Sequence, residues 1–166
     1  MHCETTHDPL IPPYTFMTKL NDGRDFDLDY YNLFLRRYLT VHRFPEAEDD
    51  LLIAARSEAA ADKYVESRLA GDEVFISNEK AFECLLKGFD ISPYEFVSDI
   101  LTEEFSDKIP LDDRSIEFWT TTILEEIQSE FNGVELSNEF IDKSEGSIFK
   151  LTIIGRISDY FDEYGL

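Results

Sequence analysis

The segment Ser92-Pro93-Tyr94-Glu95, followed by Phe96, Val97, Ile100, Leu101 and Phe105, is the start of an amphipathic helix and sets the pattern for the rest of the chain. Serine at the cap, proline at the first helical position and glutamate at the third make a capping box with proline in its favoured place. The apolar residues behind it recur at three and four, the helical period. A helix is therefore expected from Ser92 to a point before Pro110. The same period returns on both sides. Toward the C-terminus, Asp112 to Phe131 carries Ile116, Trp119, Ile123, Ile127 and Phe131 and stops at Asn132-Gly133. Ser147 to Tyr164 carries Ile148, Leu151, Ile154, Ile157 and Phe161. Toward the N-terminus, Ser77 is placed to cap a helix bearing Ala81, Phe82, Leu85 and Leu86, closed by Gly88. An alanine- and charge-rich helix from Ala47 to Ala70 puts Leu51, Ala55, Val65 and Leu69 on one side and stops at Gly71. A first helix is expected to start near Asp27 or Asp29, carry Leu28, Tyr31, Leu35, Tyr38 and Leu39, and end at Val41, before Phe44-Pro45. No segment sustains a two-residue alternation. The expectation is an all-α, compact multihelical domain of about six helices over 27–166. A loosely ordered N-terminal arm is expected over 1–26, where Pro9, Pro12, Pro13 and Asn21-Asp22-Gly23 interrupt any periodicity.

The chain has 166 residues, of which 43% are hydrophobic and 14% aromatic. That suffices for one domain with a core needing neither disulfide nor metal. Cys3 and Cys84 lie far apart, one in the arm and one in an apolar helical stretch, a usage that suits a reducing compartment. The first residues lack the basic and apolar regions of a secretory signal, and apolar runs such as Leu151 to Ile154 are far too short to span a bilayer. A cytoplasmic address is expected.

Charge is the unusual global property. Asp and Glu number 36 against 15 Lys and Arg, a net of −21, and residues 46–166 hold 30 of the acids. No basic stripe interrupts them. Direct binding to a phosphate backbone or an anionic membrane requires one, so neither nucleic acid nor membrane is expected as a direct partner.

The motifs that carry chemistry are absent or fail. The seven glycines form no phosphate-cradling loop. His2, Cys3 and His7 lie together in the arm, while His42 and Cys84 have no paired ligand spacing, so no metal is expected. Asp25, Asp27 and Asp29 alternate like a calcium loop, but Tyr30 stands where glycine is required and Arg36 where glutamate is. Capping of a helix start explains these acids better. Cys84 reads as a small core residue rather than a nucleophile. Paired carboxylates are so abundant that their spacing carries no signal. No cofactor is expected.

The fifth helix is where the acids ask for an explanation. Asp113/Glu117 and Glu126/Glu130 are like-charge pairs four apart, each unfavourable by a few tenths of a kcal/mol. Glu125, Glu126 and Glu130 also stand near the helix C-terminus, against its dipole. The plain reading of this charge is solubility and a solvated face; the sharper one takes Asp113, Glu117, Glu125, Glu126 and Glu130 as the candidate acidic contact face.

Several segments together resemble a family of small bacterial proteins of unknown function carried largely on conjugative transposons and neighbouring mobile elements. They are Tyr30-Tyr31-Asn32-Leu33-Phe34-Leu35 with Tyr38-Leu39, Ala59-Ala60-Ala61 to Arg68-Leu69-Ala70-Gly71, Leu85-Leu86-Lys87-Gly88-Phe89 before Ser92 and Tyr94, Glu103-Glu104-Phe105, and Glu163-Tyr164-Gly165. The likeness covers about 28–166. It implies an all-helical fold and a mobile-element context, and it implies no activity.

The expected function is that of a non-enzymatic acidic helical accessory or protein-interaction domain whose partner is a protein with a basic surface. One alternative is a DNA mimic that occupies a host DNA-binding enzyme, since 20 charges match roughly 34 Å of duplex. The other is an enzyme dependent on carboxylates or Cys84. The sequence leaves the oligomeric state open, and the apolar strip on the Ala47–Ala70 helix reads equally as core or as a dimer seam.

Overall fold

A computed structural model describes residues 24–165. The fold is all-α. Seven α-helices follow in order: α1 (Arg24–Val41), α2 (Asp50–Leu69), α3 (Val74–Leu86), α4 (Pro93–Glu104), α5 (Asp113–Ile127), α6 (Asn138–Ile141) and α7 (Ser144–Tyr164). Short 3-10 turns at Pro45–Glu48 and Gln128–Phe131 precede α2 and follow α5. Among the described residues there is no strand. The arm expected over 1–26 lies outside the described residues, except that Arg24 to Phe26 already belong to α1. The first helix thus begins earlier than Asp27.

Helix α1 ends in a Schellman motif. The N–H of Phe44 donates to the carbonyl of Leu39 at 2.8 Å and that of Arg43 to Thr40 at 3.2 Å. This motif needs a left-handed residue, normally glycine, and here Arg43 takes it with φ of 55°.

The chain forms two compact units. The first combines 24–38 with 46–86. Its core holds Tyr31, Leu35, Ile53, Ala60, Ala81 and Leu85, with Phe82 meeting Tyr31 and Phe34 edge-on at ring separations of 5.7 and 4.8 Å. Helices α2 and α3 pack as a hairpin through small residues. Ser57, Ala60 and Ser67 of α2 are buried, as are Ser77, Asn78 and Ala81 of α3. The Ser77 hydroxyl donates to Ser67 at 3.1 Å, and Ser67 and Lys80 both donate to the Asp72 carboxylate. One expectation is corrected here, and one open alternative is narrowed. Ser77 caps nothing, since it lies buried inside α3. The stripe of Leu51, Ala55, Val65 and Leu69 is the outward side of α2, with Leu51 85% exposed and Leu69 84%. The packing side is smaller and more polar than hydrophobic periodicity suggests, because close approach of two helices selects small residues.

The second unit combines Leu39–Pro45 with 87–165. Phe96, Val97, Ile100 and Leu101 of α4, Ile123 and Ile127 of α5, and Ile153, Ile157 and Phe161 of α7 make its core. The capping box at Ser92 is complete. Its hydroxyl accepts from the Glu95 N–H at 3.1 Å, and the Glu95 carboxylate accepts from the Ser92 N–H at 3.1 Å. Helix α5 is shorter than expected, because its last turn tightens into the 3-10 form at Gln128. Helix α7 begins earlier, at Ser144, and leaves Ile148 and Leu151 mostly exposed instead of packed. The four-residue α6, capped by the Ser137 hydroxyl on the Phe140 N–H, has no counterpart in the sequence reading.

Candidate functional site: an acidic helix surface

Helix α5 is capped by Asp112, whose carboxylate accepts from the Ser115 N–H at 3.1 Å and its hydroxyl at 2.6 Å. These two donors hold the Asp112 carboxyl below the usual range. Asp113 follows in the first turn, exposed, where its charge complements the helix dipole.

The five acids singled out in the sequence do not share one environment. Glu117 is bound by Arg43, with 2.5 Å between Nη2 and Oε1, and the same guanidinium lies 4.7 Å from the centre of the Tyr94 ring. The left-handed turn at Arg43 aims this side chain back over α4 and α5. Glu130 lies in the 3-10 turn and pairs with Arg156 of α7 at 2.9 Å. The break in α-helical geometry between Glu126 and Glu130 removes the four-residue stacking assumed for them. Asp113, Glu125 and Glu126 are exposed, and none pairs with a cation among the described residues. At about 100° per residue, Asp113 and Glu117 stand close together, Glu126 is about 180° from Glu117, and Glu125 lies between.

Between the acids stands a residue the sequence reading passed over. Phe118 is 59% exposed and meets Trp119 edge-on at 5.2 Å. It sits seven residues before Glu125, on the same outward side of α5. Its signal was its place outside the Ile116-Trp119-Ile123 stripe, on the side that should have been polar.

The other candidate chemistry is dispersed. Cys84 is a half-buried free thiol in α3, and its carbonyl accepts from Arg56 at 3.2 Å. His42 Nδ1 lies 2.6 Å from Glu95 Oε1, so the capping-box carboxylate is shared between Ser92 and the imidazole. In this order the carboxylate separates serine from histidine, the reverse of what nucleophile activation needs. The backbone from Arg24 through Tyr30 is helical, which excludes a calcium loop at Asp25, Asp27 and Asp29. Among the described residues no three His, Cys, Asp or Glu side chains are grouped to hold a metal, and His2, Cys3 and His7 lie outside them. No helix among the described residues is long and apolar enough to cross a membrane.

A family model described as a domain of unknown function, DUF1896, matches residues 23–166. Among solved structures, the crystal structure of protein PG0816 from Porphyromonas gingivalis is similar, with a TM-score of 0.72 and 24% sequence identity. The match covers 84% of this chain and 93% of that one, and it shows a shared fold. No curated protein matches.

Proposed function

The chain belongs to the DUF1896 family of domains of unknown function, and we propose that it acts as a non-enzymatic interaction domain, presenting helix α5 to a protein partner with a basic surface. The observation that carries this reading is Phe118, an aromatic side chain left 59% exposed on the outward side of α5, with Arg114 and Thr121 one turn away and Glu125 two turns away. Aromatic anchors rimmed by charge are the common composition of binding hot spots. Glu125, two turns further along the same side, and the adjacent Glu126 supply charge paired with no cation among the described residues, and Asp113 marks the far end of the helix. Glu117 and Glu130, already held by Arg43 and Arg156, are local braces in this reading. The reading extends to a cytoplasmic accessory role on a mobile element, which predicts family genes beside conjugation genes.

A DNA mimic calls for carboxylates in a double row on one side. The acids of α5 are spread around much of its circumference, so this stays the second reading. An affinity capture from bacterial lysate, eluted in steps of rising salt, tests both. A protein retained by wild type and lost from Phe118→Ala and from Glu125→Lys with Glu126→Lys supports the interaction domain. Capture of DNA-binding enzymes that duplex DNA competes away supports the mimic instead. Capture indifferent to these substitutions removes α5 from either role.

A further inference from the structure

Helix α2 turns a second face outward. Leu51, Ala55, Glu58, Asp62, Val65 and Leu69 follow one another at alternating steps of four and three, the spacing of a two-helix seam. All six are exposed, and the buried side of the helix, Ile53, Ser57, Ala60 and Ser67, lies opposite. From Leu51 to Leu69 the seam is about 27 Å long, at about 1.5 Å per residue. Its outer layers are apolar and its two central layers are carboxylates.

The cations of α2 are engaged elsewhere. Lys63 pairs with Glu66 at 2.9 Å, Arg56 donates to the Cys84 carbonyl, and Arg68 donates to the Asp72 carbonyl. Glu58 and Asp62 therefore face each other one turn apart with no cation between them among the described residues. A second copy of the chain is a poor cover for this seam. Antiparallel pairing sets Glu58 against Asp62, and parallel pairing sets each against itself, so either arrangement buries carboxylate against carboxylate. A foreign helix with lysine or arginine in the central layers neutralises both and buries both leucines.

We infer that the outward face of α2 docks an amphipathic helix of a partner protein, apolar in its outer layers and carrying Lys or Arg in the two central ones. This rests on the reading of the chain as an interaction domain.

The test uses two dye-labelled helical peptides of about three heptads, identical except for Lys or Glu at the two central seam positions, titrated with the full chain by fluorescence anisotropy. The Lys peptide is expected to bind at least about tenfold tighter than the Glu peptide. Glu58→Lys with Asp62→Lys reverses that preference. Leu51→Glu with Leu69→Glu abolishes binding while circular dichroism and the thermal midpoint stay unchanged, since both positions are exposed. Equal binding of the two peptides, or Lys-peptide binding that survives L51E/L69E, overturns the inference. So does a sedimenting dimer that L69E dissociates, because a second copy then covers the seam. A lysate partner captured equally by wild type and L51E/L69E leaves the interaction-domain reading standing and removes α2 from it.

Discussion

A Cβ on Gly146 would lie 2.2 Å from the carbonyl oxygen of Phe140, so the corner between α6 and α7 closes only because position 146 has no side chain. The obstacle is backbone, which cannot swing aside. Gly155, later in the same helix, has nothing within 4 Å of the corresponding point. Gly146→Ala should therefore destabilise the protein by about 1–3 kcal/mol through overpacking. Gly155→Ala should stabilise it by about 0.5–1 kcal/mol by reducing the freedom of the unfolded chain. Urea unfolding of both variants checks the opposite signs. Equal effects would mean that the corner relaxes.

The capping box at α4 makes a second prediction. Ser92 is fully buried and its hydroxyl accepts from the Glu95 N–H. Ser92→Ala should cost about 1–2 kcal/mol, and Ser92→Thr much less, because it keeps the oxygen. Thermal melts of the two variants that coincide would show that the cap is not what stabilises the helix start.

Thr120 of α5 and Asn78 of α3 are fully buried, and none of their side-chain polar atoms reaches a protein hydrogen-bond partner. A buried hydroxyl without a partner loses its hydration for nothing. Thr120→Val should raise stability by about 1 kcal/mol, with the same sign for Asn78→Leu. A fall in the urea midpoint of Thr120→Val would mean that the hydroxyl is satisfied in solution.

Asp72 gives the pH prediction. Hydrogen bonds from Lys80 first, and from Ser67 second, hold its carboxyl below the usual range. A carboxylate with a depressed folded pKa contributes stability that is present above its unfolded value of about 3.9 and lost as pH falls through the lowered folded value. Acid should therefore weaken the tie between the α2–α3 loop and α3. Asp72→Asn should be less stable than wild type at pH 7, with the gap closing as the pH is taken well below 3.9. A gap that is constant across that range would assign the loss to packing rather than charge.

The parts of this fold that were legible in the sequence are those fixed by local chemistry. Ser92-Pro93-Tyr94-Glu95 satisfies its own helix start, so four residues suffice to read it. For helix α2 the sequence leaves core and exposed seam undecided, because the larger apolar residues stand on the side that does not pack. Leucines mark that outer side, while the packing side is made of Ser57, Ala60 and Ser67, whose value is small size rather than hydrophobicity. Ser77 looked like a cap for the same reason. At the candidate site, the acids of α5 were visible, but their sorting was not. Arg43 reaches Glu117 across 74 positions of sequence, and it does so from a left-handed turn that no composition announces. Phe118 was missed, although it is an apolar residue out of phase with the buried stripe of its helix.

The most direct test of the interaction-domain account is zero-length carbodiimide crosslinking in bacterial lysate, with the joined peptides identified by mass spectrometry. The reagent couples a carboxylate only to an amine it touches. Lys150–Glu103 at 2.8 Å and Lys143–Glu139 at 2.6 Å provide internal controls within the same sample. The account predicts that Glu125 or Glu126 is joined to a lysine of another protein, and that this product fades as salt screens the contact beyond about 10 Å. If the internal crosslinks form and no carboxylate of α5 is joined to another protein, α5 is a solvated surface and not a partner-binding one.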